Sequence, residues 1–297
     1  MEKKPVFAVL GGDARQFSVV ARLAAAGVRV CVYGLPEKPL GADVTFCGDW
    51  REAIAPACVI LLPLPASPDG VRVNLPLSPD EAPILLSDLF AAAPKEALIA
   101  GGRISPGIKA KAEDEGRELY DFAKSEAFAL QNAVPTAEGA VAILMERVPR
   151  TVRGLSVAVT GYGRVAKALC RLLVAMGADV TVGARKRAAL EEAALAGCRT
   201  QPLCGAASVN ALIEGKSAVF NTVPYWLFTK EVLATIDRGT LLIDLASAPG
   251  GVDVEAAGAY GLSVVWALSL PGKYAPETAG EIIAEAVLAE WKGGVCR

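Results

Sequence analysis

Two stretches of the chain repeat one pattern that few folds accommodate. They read VFAVLGGDARQFSVVARLAAAGVRVCVYG from Val6 and VAVTGYGRVAKALCRLLVAMGADVTVGA from Val157. Each passes from a short apolar strand through a glycine turn into an amphipathic helix, and then into a second apolar strand. In each copy the helix ends at a glycine, Gly27 or Gly177, which supplies the left-handed residue that terminates a helix. Each copy therefore predicts a β-α-β unit.

Two such units in a chain of 297 residues predict an α/β protein. We expect two Rossmann-like, doubly wound parallel-sheet domains with a cleft between them. The first domain, at 1–135, is expected to hold the substrate and the catalytic groups, and an interdomain helix follows at 136–150. A Rossmann domain that binds the cofactor spans 151–275, and a C-terminal helix at 276–297 is expected to pack back on the first domain.

Within these domains the sequence also predicts individual elements. Thr136 is expected to cap the interdomain helix, with Glu138 in its first turn and Pro149 at its end. The stretch 270–280 predicts rigid loops, followed by a last helix from about 278 to 291. Short apolar runs predict strands near 6–10, 28–33, 58–62, 84–86, 97–100, 156–160, 179–183, 218–221, 241–245 and 263–267.

The composition excludes several kinds of chemistry. Histidine is absent, which rules out Ser-His-Asp and Cys-His catalysis, zinc held by histidine and a histidine proton relay. Acid–base work therefore falls to Asp, Glu, Lys, Tyr, Cys or water. The net charge is −2 and no basic run exceeds three residues, so we expect no nucleic-acid partner.

The cysteines and the apolar segments indicate the cellular compartment in which we expect the protein. No C-x-x-C pair occurs, and no apolar run or N-terminal leader points to a membrane or to export. We therefore expect a cytoplasmic protein with reduced thiols, no membrane partner and no metal site. The seven cysteines are Cys31, Cys47, Cys58, Cys170, Cys198, Cys204 and Cys296.

The second β-α-β unit carries the sequence of a dinucleotide-binding turn. Residues 161–166 read GYGRVA, which matches G-x-G-x-x-A between a strand and a helix. Gly161 permits the tight turn, Gly163 allows the backbone to approach a pyrophosphate, and the helix N-terminus supplies N–H donors. We expect cofactor contacts from Gly161, Tyr162, Gly163, Arg164 and Val165.

Three cations stand where NAD-binding units usually place an acidic residue. The second strand ends at Gly183, 22 residues after Gly161, and Ala184-Arg185-Lys186-Arg187 follows. A carboxylate there would bind the ribose 2′-hydroxyl, whereas Arg185 and Lys186 would attract a 2′-phosphate. We therefore expect NADP, with Ala184, Arg185 and Lys186 at its adenosine end. The alternative is a solvated start to the next helix.

Polar turns at later strand ends complete the candidate cofactor site. FNTVP ends one strand at 220–224 and IDLAS ends the next at 243–247. Groups there are placed to hold the nicotinamide and its ribose. The cofactor candidates in these turns are Asn221, Thr222, Val223, Pro224, Leu245 and Ala246.

The first β-α-β unit departs from the dinucleotide pattern. Its turn reads GGDARQ at 11–16, with a displaced second glycine and a carboxylate where phosphates would lie. We therefore do not expect it to bind a nucleotide. Asp13 and Arg15 follow a strand end and are candidates for the substrate site, although a turn and a simple ion pair would explain them equally well.

Seven motifs together resemble the dipicolinate synthase A-subunit family. They are GGDARQ at 11–16, NAVPTAEG at 132–139, GYGRVAKA at 161–168, GARK at 183–186, NTVP at 221–224, DLASAPGG at 244–251 and LPGKYAPETAG at 270–280. No single motif is specific, but the set runs in order over nearly the whole chain.

The resemblance implies an enzyme of sporulation in endospore-forming bacteria. It implies NADP-dependent oxidation of a dihydrodipicolinate-type precursor, from a branch of the lysine pathway, to pyridine-2,6-dicarboxylate. It further implies a partner, the flavoprotein-like B subunit, with which the chain forms a hetero-oligomer, and a place in the mother-cell cytoplasm. We expect homo-oligomers as well.

Residues for the substrate and for proton transfer follow from this chemistry. Two carboxylates need cations or donors, so Arg15, Arg103 and Thr136 are the substrate candidates. Aromatisation drives the reaction, so the base can be weak. Glu138 is the first choice, with Lys273 and Asp13 as alternatives; a helix-capping role would explain Glu138 equally well.

Two other functions remain open at this point. One is a non-catalytic subunit that binds NADP and positions or regulates a flavoprotein partner. The other is a dehydrogenase of a different small carboxylic acid. 2-Hydroxyacid dehydrogenases rely on a histidine, which this chain lacks, and adenosylhomocysteine hydrolases need an acidic strand end, which is also missing.

Overall fold

A computed structural model describes residues 4–80 and 82–295 of the chain. These residues separate into two compact units, Met1–Asn132 with Ala275–Arg297 and Ala133–Tyr274. The boundary falls inside a helix, three residues before the end of the predicted first domain. Cys296 lies outside the described residues, and the other six cysteines are free thiols.

The first unit is built on a sheet of six parallel strands in the order β3-β2-β1-β4-β5-β6. Its described strands are β1 (Val6–Leu10), β2 (Arg29–Tyr33), β3 (Val44–Phe46), β4 (Val59–Leu61), β5 (Leu98–Gly101) and β6 (Leu119–Asp121). Its helices are α1 (Arg15–Ala25), α2 (Trp50–Ile54), α3 (Leu86–Ala92), α4 (Pro106–Asp114) and α12 (Pro276–Val295), with a 3-10 turn at Phe122–Lys124.

The second unit repeats this arrangement with the order β12-β11-β10-β7-β8-β9. Its described strands are β7 (Ser156–Thr160), β8 (Asp179–Ala184), β9 (Arg199–Pro202), β10 (Ala218–Asn221), β11 (Leu241–Asp244) and β12 (Ser263–Trp266). Its helices are α6 (Arg164–Ala175), α7 (Arg187–Leu195), α8 (Ala206–Ile213), α9 (Lys230–Leu233), α10 (Val254–Ala259) and α11 (Leu270–Tyr274), while α5 (Glu126–Arg147) crosses the boundary between the units.

These orders confirm the predicted fold class of two Rossmann-like parallel sheets with flanking helices. In both sheets the order reverses beside the first strand of the unit, which is the point where ligands bind in open α/β sheets. The central strands are buried on both faces: Phe7, Ala8, Val9 and Leu10 have no exposed surface. Helices on both sides of a parallel sheet explain why these strands are apolar throughout rather than alternating.

The predicted strand near 84–86 is wrong. Leu86 begins α3, and this segment contributes only an isolated bridge between Arg72 and Leu85. The pattern there was apolar because Ile84 and Leu86 are both buried. The other predicted strands are present. The short strands β3, β6 and β9 escaped prediction because their residues are only partly buried or exposed.

The predicted start of the interdomain helix is also wrong. Helix α5 begins at Glu126, so Thr136 lies in its interior and does not cap it, and Glu138 is far from its first turn. Pro135 removes one helical hydrogen bond but leaves a helical φ angle. Ala133, before this proline, and Ala137, Ala140 and Leu144, after it, are buried on one face, which favours an uninterrupted helix.

The loops predicted at 270–280 are largely helical. Residues 270–274 form α11, and α12 begins at Pro276, two residues before the predicted start. Proline is well suited to the first turn of a helix, where its missing N–H is not needed. None of the helices within residues 4–80 and 82–295 has the length and hydropathy required to traverse a lipid bilayer.

Helix α12 packs closely against α1 in the first unit. The approach depends on Gly280, where a Cβ would collide with the backbone carbonyl of Arg15 and lie 2.8 Å from Ser18 Cβ. Both contacts are with the first turns of α1. The position of the last helix therefore depends on a residue without a side chain.

We predict that Gly280→Ala lowers the free energy of unfolding by about 1–3 kcal/mol, because the helices must separate to admit the methyl group. Denaturant titration followed by circular dichroism measures this change. Gly293→Ala is the matched control, since a Cβ at Gly293 meets nothing within 4 Å. In an exposed helix this control is expected to be neutral or stabilising. Equal effects of the two substitutions would contradict the close packing.

Candidate dinucleotide-binding site

The glycine turn of the second unit connects β7 to α6. Gly161 has φ +82°, and a Cβ there would lie 2.9 Å from Thr222 Oγ1 and from Val223 Cγ2. Its N–H donates to the carbonyl of Gly183 at 2.7 Å, which fixes the turn to the end of β8. Gly163 is the N-cap of α6 and offers no side-chain acceptor. The first turn of α6 is thus suited to an anionic ligand.

A cavity of about 770 Å³ lies beside this turn. It extends along the carboxyl ends of four neighbouring strands, β10, β7, β8 and β9. A volume of this size is typical of cofactor sites, which range over roughly 300–1,000 Å³. The lining residues are Gly161, Tyr162, Gly163, Gly183, Ala184, Arg185, Lys186, Ala189, Leu203, Gly205, Ala206, Val209, Val223, Tyr225, Trp226, Leu227, Thr229 and Val232.

The charge in this cavity is positive. Arg185 and Lys186 contribute to its wall, and no Asp or Glu does so among the residues that the structure describes. Neither cation forms an ion pair within the described chain, and both are exposed. The third cation of the run, Arg187, is different: its Nε donates to Glu191 Oε1 at 2.7 Å, and it does not line the cavity. Two of the three cations are therefore available to an anion.

A buried polar network holds the ends of β7, β10 and β11 together. Asn221, which has no exposed surface, accepts from Thr160 Oγ1 at 2.6 Å and from the Val223 N–H at 3.1 Å. Its Nδ2 donates to the Val223 carbonyl at 3.0 Å and to Asp244 Oδ1 at 2.8 Å. All four hydrogen-bonding positions of this amide are therefore used.

The Asp244 carboxylate extends the network into the next loop. Its Oδ1 also accepts from the Ala246 N–H at 3.0 Å, and its Oδ2 accepts from the Gly251 N–H at 2.8 Å. The Gly251 carbonyl in turn accepts from the N–H groups of Leu227, at 3.2 Å, and Phe228, at 3.0 Å. The carboxylate thus anchors the segment that carries Tyr225, Trp226 and Leu227 to the cavity wall.

Tyr162 lies in the wall and is nearly buried. Burial is the main cause that raises the pKa of its phenol to about 12. The side chain therefore stays protonated at neutral pH and is unsuited to act as a base.

The predicted cofactor residues divide into two groups in the structure. Gly161, Tyr162, Gly163, Ala184, Arg185, Lys186 and Val223 line the cavity. The remaining seven do not: Arg164, Val165, Asn221, Thr222, Pro224, Leu245 and Ala246. Asn221 is committed to the buried network, and Thr222 Oγ1 donates to the Thr160 carbonyl at 2.7 Å, so both shape the strand ends rather than face the cavity.

The part of the cavity wall that follows β9, belongs to α8 or lies at 225–227 was not predicted from the sequence. Leu203, Ala206 and Val209 give this wall an apolar character. Tyr225 and Trp226 are 68% and 53% exposed, which is unusual for large aromatic side chains. Their position directly after NTVP was the available sequence signal for this wall.

The corresponding turn of the first unit is filled by the chain itself. A Cβ at Gly11 would lie 2.7 Å from the Asn74 carbonyl and would also collide with the Leu75 side chain. The Gln16 side chain occupies the space beside Gly12, with its Cγ 2.5 Å from a Cβ built there. This turn differs in this respect from the one at Gly161, which borders an open cavity.

Asp13 and Arg15 form an ion pair. Arg15 Nε and Nη2 donate to the two carboxylate oxygens of Asp13 at 2.8 and 2.7 Å, and Nη2 also donates to the Leu64 carbonyl. Arg15 is only 6% exposed. Of the two roles open for these residues, the structure shows the turn and ion pair, and the Arg15 guanidinium is occupied within the unit.

The other predicted substrate and catalytic residues belong to other elements of the fold. Arg103 follows β5 in the first unit and is exposed. Glu138 and Lys273 are exposed residues of α5 and α11 in the second unit. These two helices are in contact, because a Cβ at Gly139 would lie 2.9 Å from Leu270 Cβ and 3.0 Å from Tyr274 Cδ2. Glu138 and Lys273 therefore belong to neighbouring elements.

The sheet order, the glycine turn and the adjoining cavity define a protein of the Rossmann dehydrogenase fold class. A family model for the N-terminal domain of the dipicolinate synthase A subunit matches residues 6–123. The dipicolinate synthase A subunit of Bacillus subtilis (strain 168) is 30% identical over 284 residues, which cover 94% of this chain and 93% of that protein. The chain belongs to the dipicolinate synthase A-subunit family.

Solved structures agree with this assignment. The dipicolinate synthase A subunit from Bacillus halodurans has a TM-score of 0.87 at 28% identity, covering 96% of this chain and 97% of that one. A transhydrogenase from Sinorhizobium meliloti has a TM-score of 0.71 at 17% identity, covering 97% of this chain and 94% of that one. The second likeness is one of fold.

We predict that Asp244→Asn lowers the free energy of unfolding by about 2–3 kcal/mol, because an amide N–H₂ would face donors that now bind a buried carboxylate. Thermal or denaturant unfolding of the purified chain measures this loss. Asp253→Asn is the control, since Asp253 only caps α10 by accepting from the Ala256 N–H at 2.9 Å, and asparagine serves there as well. A loss no larger than that of the control would show that the network does not organise the loops.

Proposed function

We propose that this chain is an NADP-dependent dehydrogenase subunit that oxidises a dihydrodipicolinate-type precursor to dipicolinate during sporulation, in the mother-cell cytoplasm and together with a B subunit. The observation that carries the cofactor assignment is the cavity that joins the glycine turn at Gly161 to the two unpaired cations Arg185 and Lys186. The substrate assignment is supported by membership of the family.

The cavity fits the adenosine half of the cofactor in three respects. The turn at Gly161 and Gly163 leaves backbone and helix N–H groups for the pyrophosphate. The apolar wall formed by Leu203, Ala206 and Val209 suits a flat base. We propose that Arg185 donates two hydrogen bonds to the 2′-phosphate and that the Lys186 ammonium group attracts it through its positive charge.

A bound NADP would supply the acceptor for the hydride that leaves the substrate. The chain itself must hold the substrate and remove a proton, and the formation of an aromatic ring lets a weak base suffice. We propose Glu138 for this role, with Lys273 and Asp13 as alternatives. The neighbouring position of α5 and α11 supports a joint role for Glu138 and Lys273, whereas the ion pair with Arg15 counts against Asp13.

Binding of the substrate carboxylates is assigned to Arg103, with Arg15 and Thr136 as the other candidates. Arg15 is less suited because its guanidinium is buried and already bonded to Asp13 and Leu64. Thr136 is an interior residue of α5. We propose that the second unit binds the cofactor and that the groups for the substrate carboxylates lie mainly in the first, whereas Glu138 and Lys273 belong to the second unit.

The cofactor assignment predicts a selective defect for Arg185→Ala. NADP should bind about 10- to 100-fold more weakly, because a charge-assisted pair to the 2′-phosphate is lost, whereas NAD should bind almost unchanged. Isothermal titration calorimetry with both nucleotides measures the two affinities. Arg187→Ala is the matched control, because Arg187 is bonded to Glu191 and lies outside the cavity wall. Equal losses of NADP and NAD affinity in the Arg185 variant would refute the 2′-phosphate assignment.

The catalytic assignment predicts that the purified chain, NADP and freshly generated precursor produce NADPH. Glu138→Gln should slow this reaction by about 100-fold or more, since the proton acceptor is removed. Glu146→Gln is the control, because Glu146 is an exposed carboxylate of the same helix. Absorbance of the reduced nicotinamide gives the rates. NADPH that forms only when the B subunit is added would show that the chain does not act alone, and an unchanged rate with Glu138→Gln in that mixture would support the alternative of a non-catalytic, NADP-binding subunit.

A further inference from the structure

Arg103 holds a backbone conformation that its own side chain disfavours. Its φ is +56°, and in the described chain Ser269 is the only other residue besides glycine with a positive φ. A left-handed conformation costs an L-residue roughly 1–2 kcal/mol unless the surroundings impose it. Strain of this kind is often kept where a side chain has a function.

Asp121 imposes the conformation from one side. It is the last residue of β6 and pairs with Gly101 at the end of β5. Its Oδ1 accepts from the Arg103 N–H at 3.0 Å, and its Oδ2 accepts from the Ile104 N–H at 3.1 Å. Oδ1 also accepts from the Ala123 N–H at 3.1 Å, and the carboxylate is only 9% exposed. Two consecutive backbone donors thus point at one nearly buried carboxylate.

Gly102 imposes the conformation from the other side. Its N–H donates to the Pro63 carbonyl at 3.0 Å, and its own carbonyl accepts from the Ala66 N–H at 2.8 Å. A Cβ at Gly102 would lie 2.8 Å from both Leu64 Cβ and the Phe122 ring. The backbone before Arg103 is therefore fixed to the loop after β4, and the backbone at Arg103 is fixed to the end of β6.

The side chain that this loop presents is an exposed cation. The Arg103 guanidinium forms no ion pair or hydrogen bond within residues 4–80 and 82–295, because Asp121 is occupied by backbone donors and by Lys124 at 3.8 Å. It lies at the carboxyl ends of the strands, the edge at which open α/β sheets bind ligands. Arg15, at the same edge, is neutralised by Asp13.

We infer that Arg103 binds a carboxylate of the substrate and that Asp121 is a positioning residue that holds Arg103 in place through its backbone. A planar guanidinium matches a carboxylate through two parallel hydrogen bonds, which suits a dicarboxylate. The inference rests on the proposed function for the identity of the substrate. Asp121 thereby gains a positioning role, and Arg103, which is exposed, is the better candidate for the substrate than Arg15, which is paired with Asp13.

The decisive variant is Arg103→Gly. It should bind pyridine-2,6-dicarboxylate more weakly than the wild type and yet be more stable to heat. Glycine accepts a positive φ without strain, so the melting temperature should rise by about 1–4 °C. Loss of the guanidinium should weaken binding of pyridine-2,6-dicarboxylate by about 10- to 100-fold. Arg103→Asn is the matched control for the backbone, because asparagine tolerates this conformation and carries no charge. It should show the same loss of binding. Arg103→Lys keeps the positive charge but cannot form two parallel hydrogen bonds to one carboxylate. It should lose less affinity for pyridine-2,6-dicarboxylate than Arg103→Gly does.

The positioning role of Asp121 is tested by comparing the effect of its substitution with and without the Arg103 side chain. Asp121→Asn should weaken binding of pyridine-2,6-dicarboxylate by about 10-fold in the wild-type background. In the Arg103→Gly background it should cause no further loss, because the side chain that it positions is gone. A purely structural role would give the same loss in both backgrounds and would overturn the assignment of Asp121.

Calorimetry of the full chain, with and without saturating NADPH, gives these affinities, and succinate and pyruvate serve as further probes. Binding of pyridine-2,6-dicarboxylate that survives Arg103→Gly overturns the inference and leaves the proposed function intact. If the wild type binds another of these carboxylates instead, and Arg103→Gly abolishes that binding, the inference stands and the proposed substrate fails. A wild type that binds none of these carboxylates overturns both.

Discussion

The candidate cofactor site depends on the hydrogen bonds that the buried carboxylate of Asp244 accepts. This carboxylate accepts hydrogen bonds from the Asn221 side chain and from the backbone of Ala246 and Gly251. Burying a charge is costly unless its hydrogen bonds are satisfied, and here they connect the ends of two neighbouring strands to the loop beyond them. Because Gly251 in turn binds the backbone of Leu227 and Phe228, one side chain determines where a wall of the cavity lies.

The two units share one strand order but differ at the turn that follows the first strand. In the second, the glycine turn borders an open cavity with two available cations. In the first, Leu75 and Gln16 fill the equivalent space, and Asp13 neutralises Arg15. What the first unit presents instead at the carboxyl edge of its sheet is Arg103, held by Asp121. The division that we propose, between a unit that binds the cofactor and a unit that binds the substrate, rests on what fills each turn.

The sequence was sufficient to predict the fold class, because glycine turns between apolar strands and amphipathic helices leave few alternatives. It also placed Gly161, Gly163 and Arg185 at the cavity, since these positions follow from the local β-α-β geometry. The sequence did not reveal that the Asn221 amide is fully hydrogen-bonded to Thr160, Val223 and Asp244, because these hydrogen bonds depend on which strands are neighbours in the sheet. For the same reason Arg15 and Arg103 were indistinguishable in sequence, although one is paired and the other exposed. The predicted start of α5 was wrong because Thr136 and Glu138 match the local pattern of a helix N-terminus, whereas the burial of Ala133 and Ala137 belongs to one longer helix.

We propose that Arg185 and Lys186 mark the adenosine end of an NADP site. A crystal structure of the chain with NADP tests this proposal most directly. We expect the 2′-phosphate within about 3 Å of the Arg185 guanidinium and the pyrophosphate at the N-terminus of α6, beside Gly163. A 2′-phosphate that points into solvent away from both cations, or a cofactor bound outside this cavity, would contradict it.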